Sequence, residues 1–292
     1  MALEEPVFIL FIINPVSGGI TKTDWEMAIK QFFIPLEPNI DLFVLGQEDN
    51  SDSIKQLIEK IKPNRVVAVG GDGTVSMVAK AVIGTDIALG ILPAGSANGM
   101  ARELDIPLTQ DEAFQVIAKG NIKNADAINV NDNICLHLSD IGLNALLIKH
   151  FEEGNLRGRL GYLTKVIKTL MAKSVMTVKI NIGDKVEKVK ALMVVLANAR
   201  KYGTNAMINP EGNVFDGHFE VVIMKRLAIS ELWKMWVRPG AFDPEKIKLF
   251  PATSVSIETS RKVDFQVDGE YLGKVRRIEA NIIPGQLKLI VP

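Results

Sequence analysis

Over the first 120 residues, four short apolar runs (Val7–Ile13, Ile40–Leu45, Arg65–Val69 and Ile87–Leu92) alternate with amphipathic stretches, and this alternation constrains the fold most. Runs without an in/out pattern suit strands covered on both faces, and helical periodicity between them supplies the cover. The pattern predicts βαβαβαβ, a parallel sheet with crossover helices. Helices are predicted to start near Asp24, Asp52 and Thr74. Thr23 with Glu26, and Thr109 with Glu112, have the spacing of a capping box, and Gly120 is placed to end the helix after Thr109.

After "NADAINVND" the texture changes to alternating strands with turn signals, such as "TVKINIGDKVEKVKALMVVLAN", "GHFEVVIM" and "SVSIETSRKVDFQVDGEYL". Antiparallel sheets fit this better than more βαβ units. Helical insertions are predicted at "GRLGYLTKVIKTLMAKS" and "AISELWKMWVR". The fold class expected is an α/β N-terminal domain with a parallel sheet, residues 1–125, followed by a β-rich, β-sandwich-like α+β C-terminal domain, residues 126–282. A chain of 292 residues, 47% hydrophobic, can fill two cores.

With 34 basic and 34 acidic residues, no global field recruits nucleic acid or an acidic surface. One cysteine, Cys135, cannot form an internal disulfide, so a reducing compartment is expected, with Cys135 buried and inert. The N-terminal apolar stretch follows acidic residues and lacks a cleavage-type ending, so it reads as a strand and not a signal peptide. No apolar run approaches the roughly 18 residues of a membrane span. The expectation is a cytoplasmic protein, peripheral at a membrane at most. His137, His150 and His218 have no metal-ligand spacing and read as structural.

Ligands of open parallel sheets bind beyond the carboxyl ends of the strands. Three such loops here are glycine-rich with Ser, Thr or Asn: "NPVSGG" (14–19), "GGDGT" (70–74) and "LPAGSANGMAR" (92–102). Backbone amides, hydroxyls and a helix N-terminus in such loops suit phosphate. Neither a Walker P-loop nor a G-x-G-x-x-G after the first strand is present, so the phosphate site is of another kind. Asp72 is the anomaly. Two unit charges about 4 Å apart repel by roughly 1 kcal/mol in water and roughly 4 kcal/mol at an effective dielectric of 20. An aspartate facing polyphosphate therefore calls for a cation, Mg²⁺ by chemistry; the alternative is that Asp72 caps a helix.

These three loops, with "SDIGLNA", "GRLGYL", "ANARKYGTNAMINPEGNVFDGHFEVV" and "VDFQVDGE" in order, resemble the diacylglycerol kinase catalytic domain family of bacterial lipid kinases and sphingosine and ceramide kinases. The resemblance covers nearly the whole chain. It implies a nucleotide-binding α/β domain related to those of NAD kinases and phosphofructokinases, completed by residues 283–292, a lipid-binding β-rich domain, and an active site in the cleft between them. It implies ATP and Mg²⁺ as cofactors. Asn14, Pro15, Ser17 and Gly18, with Gly70, Gly71, Gly73, Thr74, Ser96 and Asn98, would hold the nucleotide, and Asp72 would face its phosphates through Mg²⁺. Asp268 matches the family's proposed general base, Asp126 and Glu270 an acceptor and metal network, and Asp216 a structural Mg²⁺ ligand. One departure is Gly99, where bacterial members usually carry aspartate; this removes a carboxylate from the metal network.

The function expected is transfer of the γ-phosphate of ATP to a hydroxyl of a diacylglycerol-like or sphingoid-like lipid. The alternatives are an NAD kinase, which shares "GGDGT", and a catalytically silent nucleotide-binding regulatory protein. The partners expected are nucleotide and lipid at a membrane surface, without nucleic acid; a homodimer is left open. Membrane approach is expected through Arg157, Arg159, Lys165, Lys168 and Lys173 in one insertion and Trp233, Lys234, Trp236 and Arg238 in the other, or else both helices pack on the β domain.

Overall fold

The computed structural model describes residues 7–15, 22–36, 39–146, 175–202, 206–226, 228–236 and 242–292. The chain forms two compact units, Met1–Ala125 with Gly285–Pro292, and Asp126–Pro284.

The first unit runs β1 (Phe8–Ile13), α1 (Lys22–Phe33), β2 (Asn39–Val44), α2 (Ser51–Ile61), β3 (Arg65–Gly70), α3 (Asp72–Val82), β4 (Ala88–Pro93), α4 (Gly99–Glu103) and α5 (Gln110–Lys119). Its strands pair in parallel in the order β2, β1, β3, β4, with Phe8 opposite Asn39, Ile9 opposite Arg65 and Arg65 opposite Ala88. The C-terminal stretch joins β4 in parallel, Leu289 opposite Leu89. Ile9–Ile13 and Val66–Val69 are buried without alternation, which is why their sequences are continuously apolar. Phe33 of α1 packs tilted against Phe11 (centroids 5.2 Å apart) and edge-to-face against Phe114 of α5 (5.5 Å).

Two predicted caps are corrected. α1 begins at Lys22, so Thr23 lies inside the helix and does not open it. The reciprocal box belongs to α2: Asn50 Oδ1 accepts from the Asp52 and Ser53 amides (2.9 and 3.1 Å) and Ser53 Oγ from the Asn50 amide (3.0 Å). Thr109 does precede α5, but its hydroxyl bonds the Glu112 side chain and no backbone amide.

β5 (Asn121–Val130) leads into the second unit, made of β6 (Asn133–Cys135), β7 (Leu138–Gly142), β8 (Met176–Ile182), β9 (Lys185–Ala191), β10 (Met193–Ala197), β11 (Lys201–Tyr202), β12 (Ala206–Met207), β13 (Phe219–Met224), α6 (Ile229–Trp236), β14 (Ile247–Ala252), β15 (Ser254–Val267) and β16 (Glu270–Val291), whose end returns to the first unit. Strands β14, β13, β10, β7 and β15 pair antiparallel in that order. β15 changes partner along its length, pairing β8 through Ser256–Thr259 and β7 through Phe265–Val267, with an irregularity in between. A bulged strand can bend in this way from one sheet layer to the next. β10 and β13 are buried on both faces. Val194, Leu196, Val221 and Ile223 pack with residues of β8 and β15, while Val195, Ala197, Val222 and Met224 pack with Met235 of α6.

Among the described residues no helix is long and apolar enough to cross a membrane. The predicted helix in "GRLGYLTKVIKTLMAKS", with Arg157, Arg159, Lys165, Lys168 and Lys173, lies outside the described residues, as does Arg238.

Candidate active site

In the first unit β1 is flanked by β2 on one side and β3 on the other, so the winding reverses between β1 and β3. Open α/β sheets bind ligands at the carboxyl ends of strands at such a reversal. The "NPVSGG" and "GGDGT" loops begin there, and they are joined. The Asn14 amide donates to Val69 O (3.0 Å) and the Asn14 side-chain amide to the Thr74 hydroxyl (3.0 Å). Pro15 is exposed beside Asn14; Ser17 and Gly18 lie outside the described residues.

Gly70 ends β3, and its carbonyl accepts from Ala94 N (2.9 Å), which ties the third loop to the second. Gly71 and Gly95 touch backbone to backbone: a Cβ on Gly95 would lie 2.4 Å from the Gly71 Cα. Gly73 is different. It is exposed in the first turn of α3, and a Cβ there would meet nothing within 4 Å. No side chain caps α3, so its opening amides fall to solvent or a ligand.

Asp72 caps a helix, though not the one it opens. Its carboxylate accepts from Gly99 N (Oδ2, 3.0 Å) and Met100 N (Oδ1, 3.0 Å), the first amides of the short α4. Gly99 therefore contributes a backbone donor to Asp72. Asn98 holds this loop in a left-handed conformation (φ 50°), accepting from Gly95 N and donating to Gly95 O, both at 2.8 Å. Its side chain is used in shaping the loop, whereas Ser96 at the loop's tip is exposed.

In the second unit Asp268 and Gly269 form the two-residue hairpin loop between β15 and β16, both with positive φ (48° and 90°), as a type I′ turn requires. The Asp268 carboxylate does not point idly from the turn. It lies along the segment joining β6 and β7, accepting from Leu136 N at Oδ2 (2.9 Å) and from His137 N (2.9 Å) and Leu138 N (3.2 Å) at Oδ1. The buried Cys135 thiol is 3.4 Å from Oδ1. Three amides from consecutive residues fix the plane of the carboxylate. Glu270 follows on the exposed start of β16.

Asp126, the first residue of the second unit, is buried, and its Oδ2 accepts from Gly217 N (2.7 Å). Gly217 directly follows Asp216 in the loop. Asp216 itself is exposed, with Oδ1 accepting from His218 N (3.0 Å). Among the described residues no group of three or more Asp, Glu, His or Cys side chains is arranged to hold a metal.

Three further residues belong to this region. Asn198 is fully buried and its amide donates to Asp126 O (2.9 Å) and Leu136 O (2.8 Å), linking Asp126 to the segment that holds Asp268. Buried Gln266 accepts from Gly269 N (2.7 Å) and donates to the carboxylate of buried Asp140. The available signal was a polar residue inside an apolar strand run, in "LSDIG" and "DFQVDG"; buried polar groups need partners, and such positions mark networks.

Residues 8–130 match the diacylglycerol kinase catalytic domain family, and residues 139–291 the YegS C-terminal NAD kinase beta sandwich-like domain. A diacylglycerol kinase of Staphylococcus saprophyticus is 24% identical over 90% of this chain and 89% of its own length. An uncharacterized protein of Synechocystis sp. is 26% identical over 96% of this chain and 69% of its own. The fold is that of a crystal structure of a diacylglycerol kinase from Bacillus anthracis, with a TM-score of 0.79 at 20% identity, covering 99% of this chain and 98% of that one. A second Bacillus anthracis structure, described as a putative diacylglycerol kinase, gives 0.82 at 22% identity. With both domain families matched in order along almost its entire length, the chain belongs to the diacylglycerol kinase family and is an enzyme of the lipid kinase class.

Proposed function

We propose that the protein transfers the γ-phosphate of ATP to a hydroxyl of a diacylglycerol-like or sphingoid-like lipid, with Mg²⁺. The observation that carries this reading is the β1/β3 reversal, where Asn14 bonds Thr74 and the uncapped first turn of α3 lies open at Gly73. An uncapped helix start with a glycine open to close approach is a phosphate site in its physics. The first unit binds nucleotide through Asn14, Gly71, Gly73 and Thr74, joined by Pro15, Ser17, Gly18, Gly70 and Ser96. Asn98 acts by shaping its loop.

The donor set fits Mg²⁺, which takes one or two carboxylates together with substrate phosphates and water. Asp72 would hold it, since each carboxylate oxygen can accept more than the single amide bond described. Bound there, Mg²⁺ would neutralise phosphate charge. Asp126, Glu270 and Asp216 would line the acceptor and structural-metal region of the second unit.

Phosphoryl transfer to an alcohol needs placement of the hydroxyl and a group to take its proton. Asp268 fills that role: its carboxylate is an acceptor held in one plane by backbone amides, so it loses little orientational freedom when the hydroxyl arrives. General-base assistance of this kind is worth about 10²–10⁴-fold. The test is incubation with ATP and Mg²⁺ and, in turn, diacylglycerol, a sphingoid base, ceramide and NAD, with products identified by mass spectrometry. A phosphorylated lipid is expected. Phosphorylated NAD alone, or nucleotide binding without product, contradicts the reading.

A further inference from the structure

Asp268 adopts the left-handed conformation (φ 48°) of the first position of a type I′ turn, which aspartate tolerates. The three amides on its carboxylate hold the side chain, but a separate device holds the turn. Gln266, fully buried one strand position before Val267, reaches past the loop to accept from Gly269 N (2.7 Å). Its other end donates to Asp140 Oδ2. Asp140, 2% exposed, is in turn fixed by Ala145 N at Oδ1 (2.9 Å) and by the Asn144 side chain at Oδ2 (2.7 Å). The Ser139 hydroxyl donates to the Gln266 carbonyl (2.7 Å), securing the strand on which Gln266 sits.

The polarity of this chain of bonds is forced. The Gly269 amide can only donate, so Gln266 Oε1 faces it and the Gln266 NH₂ is turned to Asp140 Oδ2; the side chain between them must offer one acceptor and one donor. Glutamine does so at this length. Leucine would leave Gly269 N without this acceptor and take one donor from Asp140, and glutamate would set a second carboxylate against Asp140. Stability alone does not call for such an arrangement, because buried polar sets can often be replaced by apolar residues without loss.

We infer that Asp140 and Gln266 are positioning residues for Asp268: they fix the 268–269 turn and thereby the place at which the carboxylate meets the acceptor hydroxyl. This rests on the reading of Asp268 as base. The experiment compares steady-state lipid phosphorylation and nucleotide affinity in Asp268→Asn, Gln266→Leu, Gln266→Glu and the exchanged pair Asp140→Asn/Gln266→Glu. In the exchanged pair the new glutamate accepts from Gly269 N and from the new asparagine amide, which moves the charge, and the Asn144 side-chain amide, which donates to Asp140 Oδ2 in the wild type, has to flip and present its oxygen instead.

Gln266→Leu is expected to lower kcat about tenfold or more with nucleotide affinity unchanged. Gln266→Glu alone is expected to do likewise, and the exchanged pair to recover most of the loss. In an Asp268→Asn background Gln266→Leu is expected to cost nothing further, because both changes remove the same contribution. Full multiplication of the two losses, or an exchanged pair that melts like wild type yet stays inactive, overturns the inference. A fully active Gln266→Leu protein beside a crippled Asp268→Asn protein overturns it alone. An Asp268→Asn protein as active as wild type overturns the base reading and this inference with it.

Discussion

Two candidate aspartates, one in each unit, share one local chemistry: each carboxylate receives backbone amides from a segment distant in sequence. For Asp72 the donors are Gly99 and Met100, so the residue closes one loop onto another as well as being the proposed cation ligand. Asp72→Ala is therefore expected to act twice, lowering stability by about 0.5–2 kcal/mol as lost caps do and weakening Mg²⁺-dependent nucleotide binding. Thermal unfolding with nucleotide titration at varied Mg²⁺ separates the two. A purely structural Asp72 would change the melting temperature and leave the Mg²⁺ dependence intact. The sequence marked Asp72 as an acid in a glycine turn, and Asp268 only through the family resemblance of "VDGE". It did not mark Gln266, Asp140 or Asn198: a polar residue in an apolar strand run hints at a network, but the partners lie 126, 126 and 72 positions away, and local context does not name them.

Among the elements, glycines at the sheet edge do different work, and alanine substitution distinguishes them. Gly95→Ala would drive a Cβ to 2.4 Å from the Gly71 Cα, so the two loops must separate; lower stability and lower nucleotide affinity are both expected. Gly73→Ala meets nothing in the protein and puts a better helix former into α3, so stability is expected to hold or rise by up to about 1 kcal/mol. Nucleotide affinity is expected to fall all the same, because the new methyl occupies the open approach. Isothermal titration and unfolding curves check both.

At α6, burial pushes the Glu231 carboxyl up, but hydrogen bonds from the Asp243 amide, Lys234, Ser230 and Lys246 outweigh it and hold it below the usual range. A lowered carboxyl contributes stability above its unfolded value and loses it as pH falls through the folded one. Glu231→Gln should thus flatten the decline in melting temperature from the ordinary glutamate range downward. The strands of the first unit were legible because continuous apolar runs have few other uses. Helix starts were less so: Thr23 has cap spacing, yet the helix begins one residue earlier, and Asn50–Ser53 does the capping at α2.

At the scale of the molecule, each unit has its own core and its own share of the candidate residues. The antiparallel second unit was legible as a class from its alternation, but not in its pairing. β15 pairs β16 on one edge and β8 and then β7 on the other, with a mid-strand irregularity that is invisible in composition. On the proposed function the lipid acceptor would be met at a membrane surface, and Trp233, 60% exposed on α6 beside Lys234, is the residue proposed to contact it. Trp233→Ser is expected to weaken binding to vesicles of phosphatidylglycerol and diacylglycerol by several-fold without changing the melting temperature; equal binding would remove α6 from membrane contact.

The central claim is that Asp268 accepts the proton of the lipid hydroxyl. Its most direct test is single-turnover transfer of ³²P from γ-labelled ATP to the lipid in mixed micelles, wild type against Asp268→Asn, with ATP binding measured on both. The account predicts equal ATP binding and transfer slowed by at least about tenfold in the variant. Equal transfer rates would contradict it.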